Sequence, residues 1–258
     1  MSRNRRPTLD HASGIRLEQA SLKAWPAIEQ TALDGWLLRY SEGVTKRANS
    51  VQALGGSNMP FAEKIERCER WYAVRERPCI FRLTPFSEAG LDARLAERGY
   101  ANIDATAVLE RPLDGASAIT ATDSGLRPLT LDAWVDTYAR LHGLADGTPA
   151  PLRSILDSIA AERLLASLPS PDGATFACGL GVLEDDLFGL FNLVTEPGRR
   201  RQGHGTRLVE AMIRWARERG ATRAYLQVVR TNEPALRLYG KLGFALAYGY
   251  WYRIQPDG

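Results

Sequence analysis

Two hydrophobic rhythms alternate along the chain. Residues 187–194 (LFGLFNLV) are apolar almost without interruption, as in a buried strand, until Pro197 and Gly198 break the run. Apolar residues then recur at Leu208, Val209, Met212, Ile213, Trp215 and Ala216. This is one face of an amphipathic helix over 206–219, with Gly205 or Thr206 as its cap and Gly220 as its stop. Residues 224–229 (AYLQVV) read as the next strand, and 232–244 as a short helix closed by Gly243.

Similar punctuation divides the rest. Residues 15–30 predict an opening strand and helix, and 35–40 and 44–54 predict paired strands across Ser41-Glu42-Gly43. A helix over 60–76, a strand over 79–83, a helix over 91–98 and a strand over 105–109 follow. The small polar stretch 112–123 reads as a linker. Beyond it the pattern predicts a strand at 126–129, a helix at 131–141, a loop at 142–151 and a helix at 152–168. A strand over 174–183 then turns at Glu184-Asp185-Asp186 into the apolar run at 187–194. The last strand carries Tyr248, Tyr250, Trp251 and Tyr252, with core packing as the default for one face and an aromatic pocket wall as a role for the other.

The order repeats. Shifting the sequence by 144 residues lays Trp71 on Trp215, and the helix before Gly99-Tyr100 near the helix before Gly243-Phe244. The expectation is an α/β chain with a mixed sheet in two lobes, 1–115 and 116–258. Met59 and Phe61 of the first copy fall where Gly203 and Gly205 stand in the second, and Leu95 falls near Tyr239. Arg47, Asn49 and Ser50 precede the first turn, as solvated strand residues or facing a site.

The chemistry concentrates in Arg200-Arg201-Gln202-Gly203-His204-Gly205, between the central strand and its helix. The first amides of a helix lack carbonyl partners and lie at the positive end of its dipole. Glycines let an anion approach the backbone, and Arg199, Arg200, Arg201 and Arg207 add charge. A Walker A loop needs Gly-Lys-Ser/Thr where Gly205-Thr206-Arg207 stands, and a dinucleotide fingerprint needs a glycine at Leu208. The six residues alone fit either a diphosphate cradle or an arginine-rich solvated turn.

With the downstream helix, the sequence resembles the GCN5-related N-acetyltransferase (GNAT) family. Val194, Arg200, Gly203 and Gly205 match its V…R/Q-x-x-G-x-G/A signature; Asn232, Ala235, Tyr239, Gly243 and Phe244 match N-x-x-A-x-x-x-Y-x-x-x-G-F. The resemblance implies a GNAT acyltransferase fold, complete in the C-terminal lobe and degenerate in the N-terminal one. It implies acetyl-CoA as acetyl donor, bound by Leu193, Val194, Arg199, Arg200, Arg201, Gln202, Gly203, His204, Gly205, Thr206 and Asn232. Leu193 and Val194 would hold the pantetheine and thioester carbonyl through backbone amides, an oxyanion-hole arrangement. Tyr239 matches the tyrosine that protonates the departing thiolate, and the helices after residue 130 would select the acceptor amine.

Acetyl transfer also needs a route for the amine proton. Glu196 and His142 could accept it; Asn192 cannot and would only position a water. Glu184 and Asp185 read as a solvated turn, His204 reads as facing cofactor or solvent, and deprotonation through ordered water without a dedicated base is the alternative. A non-catalytic acyl-CoA sensor is the competing function.

Composition narrows the class further. The 258 residues are 45% hydrophobic and 24% charged, with a net charge of +3, so no basic excess points to nucleic acid. No apolar run reaches membrane-spanning length, and three scattered cysteines suit neither a disulfide framework nor a metal site. The expectation is a cytoplasmic enzyme without a metal.

Overall fold

A computed structural model describes residues 10–56, 58–113, 125–144, 149–169 and 173–256. The first half runs α1 (His11–Ala24), β1 (Glu29–Leu33), β2 (Trp36–Tyr40), a 3-10 turn (Lys46–Ala48), β3 (Val51–Gln52), α2 (Phe61–Ala73), β4 (Ile80–Leu83), α3 (Leu91–Glu97) and β5 (Ala101–Pro112). The second half runs β6 (Arg127–Pro128), α4 (Leu131–His142), α5 (Pro149–Asp157), β7 (Glu162–Pro169), β8 (Thr175–Glu184) and β9 (Leu187–Thr195). It closes with a 3-10 turn (Pro197–Arg199), α6 (His204–Arg217), β10 (Arg223–Val229), α7 (Glu233–Lys241) and β11 (Ala245–Ile254).

The eleven strands among the described residues share one sheet, in the order β1-β2-β3-β4-β11-β5-β10-β9-β8-β7-β6. Only β3 with β4, and β9 with β10, run parallel, each pair joined across a helix; the other pairs are antiparallel. The two halves of the chain interlock at the centre. β11 lies between β4 and β5, while β5 lies between β11 and β10.

Helices cover both faces. α6 buries Leu208, Val209, Met212 and Ile213 in the cluster that holds Leu164, Phe188 and Leu190. On the other face Leu17, Trp134 and Leu152 share a cluster with Leu165, Leu180 and Phe191. Continuous apolar runs in the central strands follow from this double cover. α1 is also fastened by a buried ion pair: Glu18 accepts from both terminal nitrogens of Arg82 on β4 and from the Tyr248 hydroxyl on β11. No helix among the described residues is long and apolar enough to cross a membrane.

Three expectations are corrected. The helix expected at 152–168 ends at Asp157, and Glu162–Pro169 is strand β7. Its Leu165 faces one cluster while Leu164, Ala166 and Leu168 face the other, so an apolar run buried on both faces imitated a continuing helix. The strand expected at 44–54 survives only as Val51–Gln52. Asn49 Oδ1 accepts from the Ser41 and Gly43 amides, its Nδ2 donates to Thr45 O at 2.7 Å, and Ser50 Oγ donates to Lys46 O at 2.6 Å. These side chains hold a loop closed instead of lying along a strand. Residues 15–30 form no opening strand: they belong mostly to α1, and β1 begins at Glu29. Nearly all of the linker expected at 112–123 lies outside the described residues, as does part of the loop at 142–151.

Candidate active site

The central strands part where the parallel ladder ends. β9 and β10 pair from Leu187 with Arg223 to Leu190 with Leu226, and no further. On its other side β9 pairs Phe191 with Leu180 and Val194 with Cys178, which leaves Asn192 and Leu193 out of register. Asn192 adopts φ 50°, so a bulge sits at the point of splaying. The gap opens into a cavity of about 360 Å³ lined by residues of both halves of the chain.

The glycine turn is separate: none of Arg199 to Thr206 lines the cavity, and the turn meets it only through α7, which packs on Gly205 and carries Tyr239. Gly203 caps α6 with φ 82°, a left-handed conformation that disfavours any side chain. The Arg207 amide makes the first helical bond, to Gly203 O at 3.0 Å, so the amides of His204, Gly205 and Thr206 open the helix without an intrahelical partner or side-chain cap. A Cβ on Gly203 would meet nothing within 4 Å, whereas one on Gly205 would lie 3.3 Å from Leu238 Cδ2. The turn is therefore open on the side of Gly203 and packed against α7 at Gly205.

The flanking side chains have separate tasks. Arg199 donates to Glu196 at 3.1 Å and lies over Phe176, Arg200 donates to Thr195 O at 3.2 Å, and Gln202 to Gly198 O at 3.4 Å. Arg201 is exposed with φ 61°. The His204 ring packs on Phe176, 4.3 Å between centroids, and burial followed by Arg207 and Arg199 lowers its pKa. That leaves its backbone amide as its group at the open end of the helix.

Tyr239 lines the cavity from α7, together with Asn232 and Ala235. Its ring is edge-on to Phe244 at 5.9 Å, and burial pushes its phenol up to about 12. It thus keeps its proton throughout the neutral range. Asn232 Oδ1 caps α7 by accepting from the Ala235 amide at 3.3 Å. Leu193 reaches the cavity from β9, while Val194, one residue further on, packs against the core cluster beneath it.

The opposite wall comes from the first half and from β11. Thr45, Lys46 and Arg47 contribute from the 3-10 turn, Asp104 and Thr106 from β5, and Tyr250 and Tyr252 from β11. Sequence reasoning singled out Arg47 and the tyrosines but missed Lys46, Asp104 and Gln227. No periodicity marks a polar loop that folding carries to a distant strand end. A local signal for Asp104 is structural: it sits at φ 51° in the register shift between Tyr250 and Tyr252. Asn49 and Ser50 hold the loop and do not line the cavity. Neither do Glu196, Glu184, Asp185 or His142; Glu196 pairs with Arg199 and Glu184 with Lys23.

The turn before α2 is filled from within. The Asp34 carboxylate accepts from the Asn58 and Met59 amides, the latter at 2.8 Å, and the buried Lys64 lies 3.5 Å from it. A carboxylate of the chain thus occupies the amides that precede α2.

A family model described as "Probable histone acetyltransferase Rv0428c C-terminal" matches residues 12–253. The chain belongs to that family, within the GCN5-related N-acetyltransferases. It is 29% identical over 244 residues to the uncharacterized N-acetyltransferase YobR of Bacillus subtilis, spanning 93% of this chain and 98% of that one. With the probable histone acetyltransferase Rv0428c of Mycobacterium tuberculosis it shares 30% identity over 241 residues, 89% of this chain and 70% of the relative. A solved GCN5-related N-acetyltransferase from Kribbella flavida superposes with a TM-score of 0.70 at 20% identity, over 94% of this chain and 95% of that one. The fold is that of the GNAT acyltransferases, and the protein is an N-acetyltransferase.

Proteins of this fold use acyl-CoA donors, and the residues present fit one. Unpartnered amides start α6, a glycine whose missing Cβ leaves the turn open precedes them, and α7 links that turn to the cleft between the splayed strands.

Proposed function

We propose that this protein is an acetyl-CoA-dependent N-acetyltransferase acting on a primary amine, with Tyr239 as proton donor. In this reading residues 116–258 form the acetyltransferase lobe. Residues 1–115 form a degenerate GNAT-like lobe that has lost its own phosphate turn and walls the acceptor pocket. The carrying observation is the cavity where β9 and β10 part, because it places the protonated Tyr239, the bulge at Asn192 and the Lys46–Arg47 turn around one space.

Acetyl-CoA would supply an activated thioester carbonyl. The amides of His204, Gly205 and Thr206, with Arg199, Arg200, Arg201 and Gln202 around them, hold the diphosphate; Asn232 and the backbone of Leu193 and Val194 hold the pantetheine arm. Amides near the bulge polarise the carbonyl, and Tyr239 gives its proton to the sulfur as the C–S bond breaks and the amine N–C bond forms. The proton lost by the amine leaves through water.

Thiol release from acetyl-CoA, measured across a panel of amines, tests the reading. Tyr239→Phe is expected to lower kcat by about 10²-fold or more and leave acetyl-CoA affinity within about twofold. An unchanged rate would remove Tyr239 from the mechanism.

A further inference from the structure

Arg47 is unusual among the residues lining the cavity. Its guanidinium lies over the faces of Trp25 and Phe191, at 4.8 and 5.5 Å from the ring centroids. Among the described residues no carboxylate, carbonyl or hydroxyl accepts a hydrogen bond from it, although its own backbone carbonyl accepts from Arg39 Nη1 at 2.9 Å. Aromatic stacking fixes the plane of an arginine while leaving its N–H edge available, the geometry in which guanidinium binds a planar anion bidentately.

The electrostatics around it are one-sided. The neighbouring cation, Lys46, is neutralised by Asp104 at 2.7 Å, and Asp104 is the one carboxylate among the lining residues described. Behind Arg47 lies a void of about 10 Å³ lined by Arg39, Arg82, Gln52 and Gln227, among others. Glu18 compensates Arg82, but Arg39 is buried with carbonyls as its acceptors. Burial, then repulsion from Arg82, lowers Arg39 to about 10, and Arg47 adds to the repulsion. One uncompensated cation at the wall and another behind it leave positive potential in a site that must receive an amine.

We propose that the acceptor is a small amine that carries a carboxylate, such as an amino acid, and that Arg47 binds that carboxylate. The proposal rests on the acetyltransferase reading and sharpens it. Lysine-rich protein tails fit poorly, because their surplus positive charge would face Arg47 and Arg39.

The test compares amino acids, their carboxamides and a lysine-rich peptide as acceptors in the thiol-release assay, using the full chain and Arg47→Gln. Free amino acids should be used at least about 10-fold more efficiently than the matching carboxamides, with the difference mainly in KM. Arg47→Gln should erase that ratio by lowering kcat/KM for the carboxylates about 10–100-fold. Calorimetric acetyl-CoA affinity controls for folding of the variant. Calorimetry with N-acetylated amino acids and their carboxamides in the presence of CoA adds a readout free of turnover. Preference for the lysine-rich peptide, an Arg47→Gln loss equal for both members of each pair, or a protein that binds acetyl-CoA but neither uses nor binds carboxylates would overturn the proposal while the acetyltransferase reading stood. Absence of acetyl-CoA binding would remove both.

Discussion

Tyr239 shows how burial sets proton affinity at a single residue. The α7 backbone places its ring against Phe244, and the apolar surroundings push its phenol up to about 12, above its ordinary value near 10. A raised acid pKa keeps the proton on as pH increases, so no loss of rate from Tyr239 ionisation is expected below about pH 10. A pH–rate profile of the chemical step checks this, and an alkaline limb between about pH 7 and 9 that Tyr239→Phe abolishes would contradict it. The motif residues were legible because their roles are local: Gly203 is needed for its positive φ, and Asn232 caps the helix it begins. Lys46 and Asp104 were not, because their meeting depends on a loop and a strand far apart in sequence.

Among the elements, the strand–turn–helix units were readable where periodicity and glycine stops agreed, as in β9, α6 and α7. Reading failed where burial or side-chain hydrogen bonding overrode the pattern. β7 is apolar on both faces, and Asn49 and Ser50 close the loop where a paired strand was expected. The attachment of α1 was equally invisible, since Glu18 looks like an ordinary helix glutamate until Arg82 and Tyr248 surround it. Removing one partner of a buried pair strands the other charge. Glu18→Ala should therefore cost about 3–5 kcal/mol in denaturant unfolding. A loss below about 1 kcal/mol would mean that Arg82 finds water or another acceptor.

Across the whole molecule, the succession of strands and helices was visible in the sequence but the interlocking was not. Strand order depends on pairings between positions more than a hundred residues apart, such as Leu226 with Leu109 and Trp251 with Leu83. β10 and β11 both use β5 as an antiparallel partner. Residues 116–258 expressed alone would leave β10 with one unpaired edge and β11 with both, and exposed edges aggregate. We expect that fragment to be insoluble or unfolded by circular dichroism, and co-expression with residues 1–115 to restore acetyl-CoA binding. A monomeric, folded fragment that binds acetyl-CoA by itself would show that the first half is dispensable to the second.

The most direct test of the central claim is calorimetric titration of the full chain with acetyl-CoA, beside a Gly203→Glu, Gly205→Glu variant. Gly203 is open and left-handed, and Gly205 is close to Leu238, so the two carboxylates would bring negative charge and bulk to the helix start. Saturable binding in the parent and none in a variant of native circular dichroism is the predicted result. Equal binding by both proteins would contradict the assignment of this turn as the diphosphate cradle, and no binding by the parent would contradict acetyl-CoA as the donor.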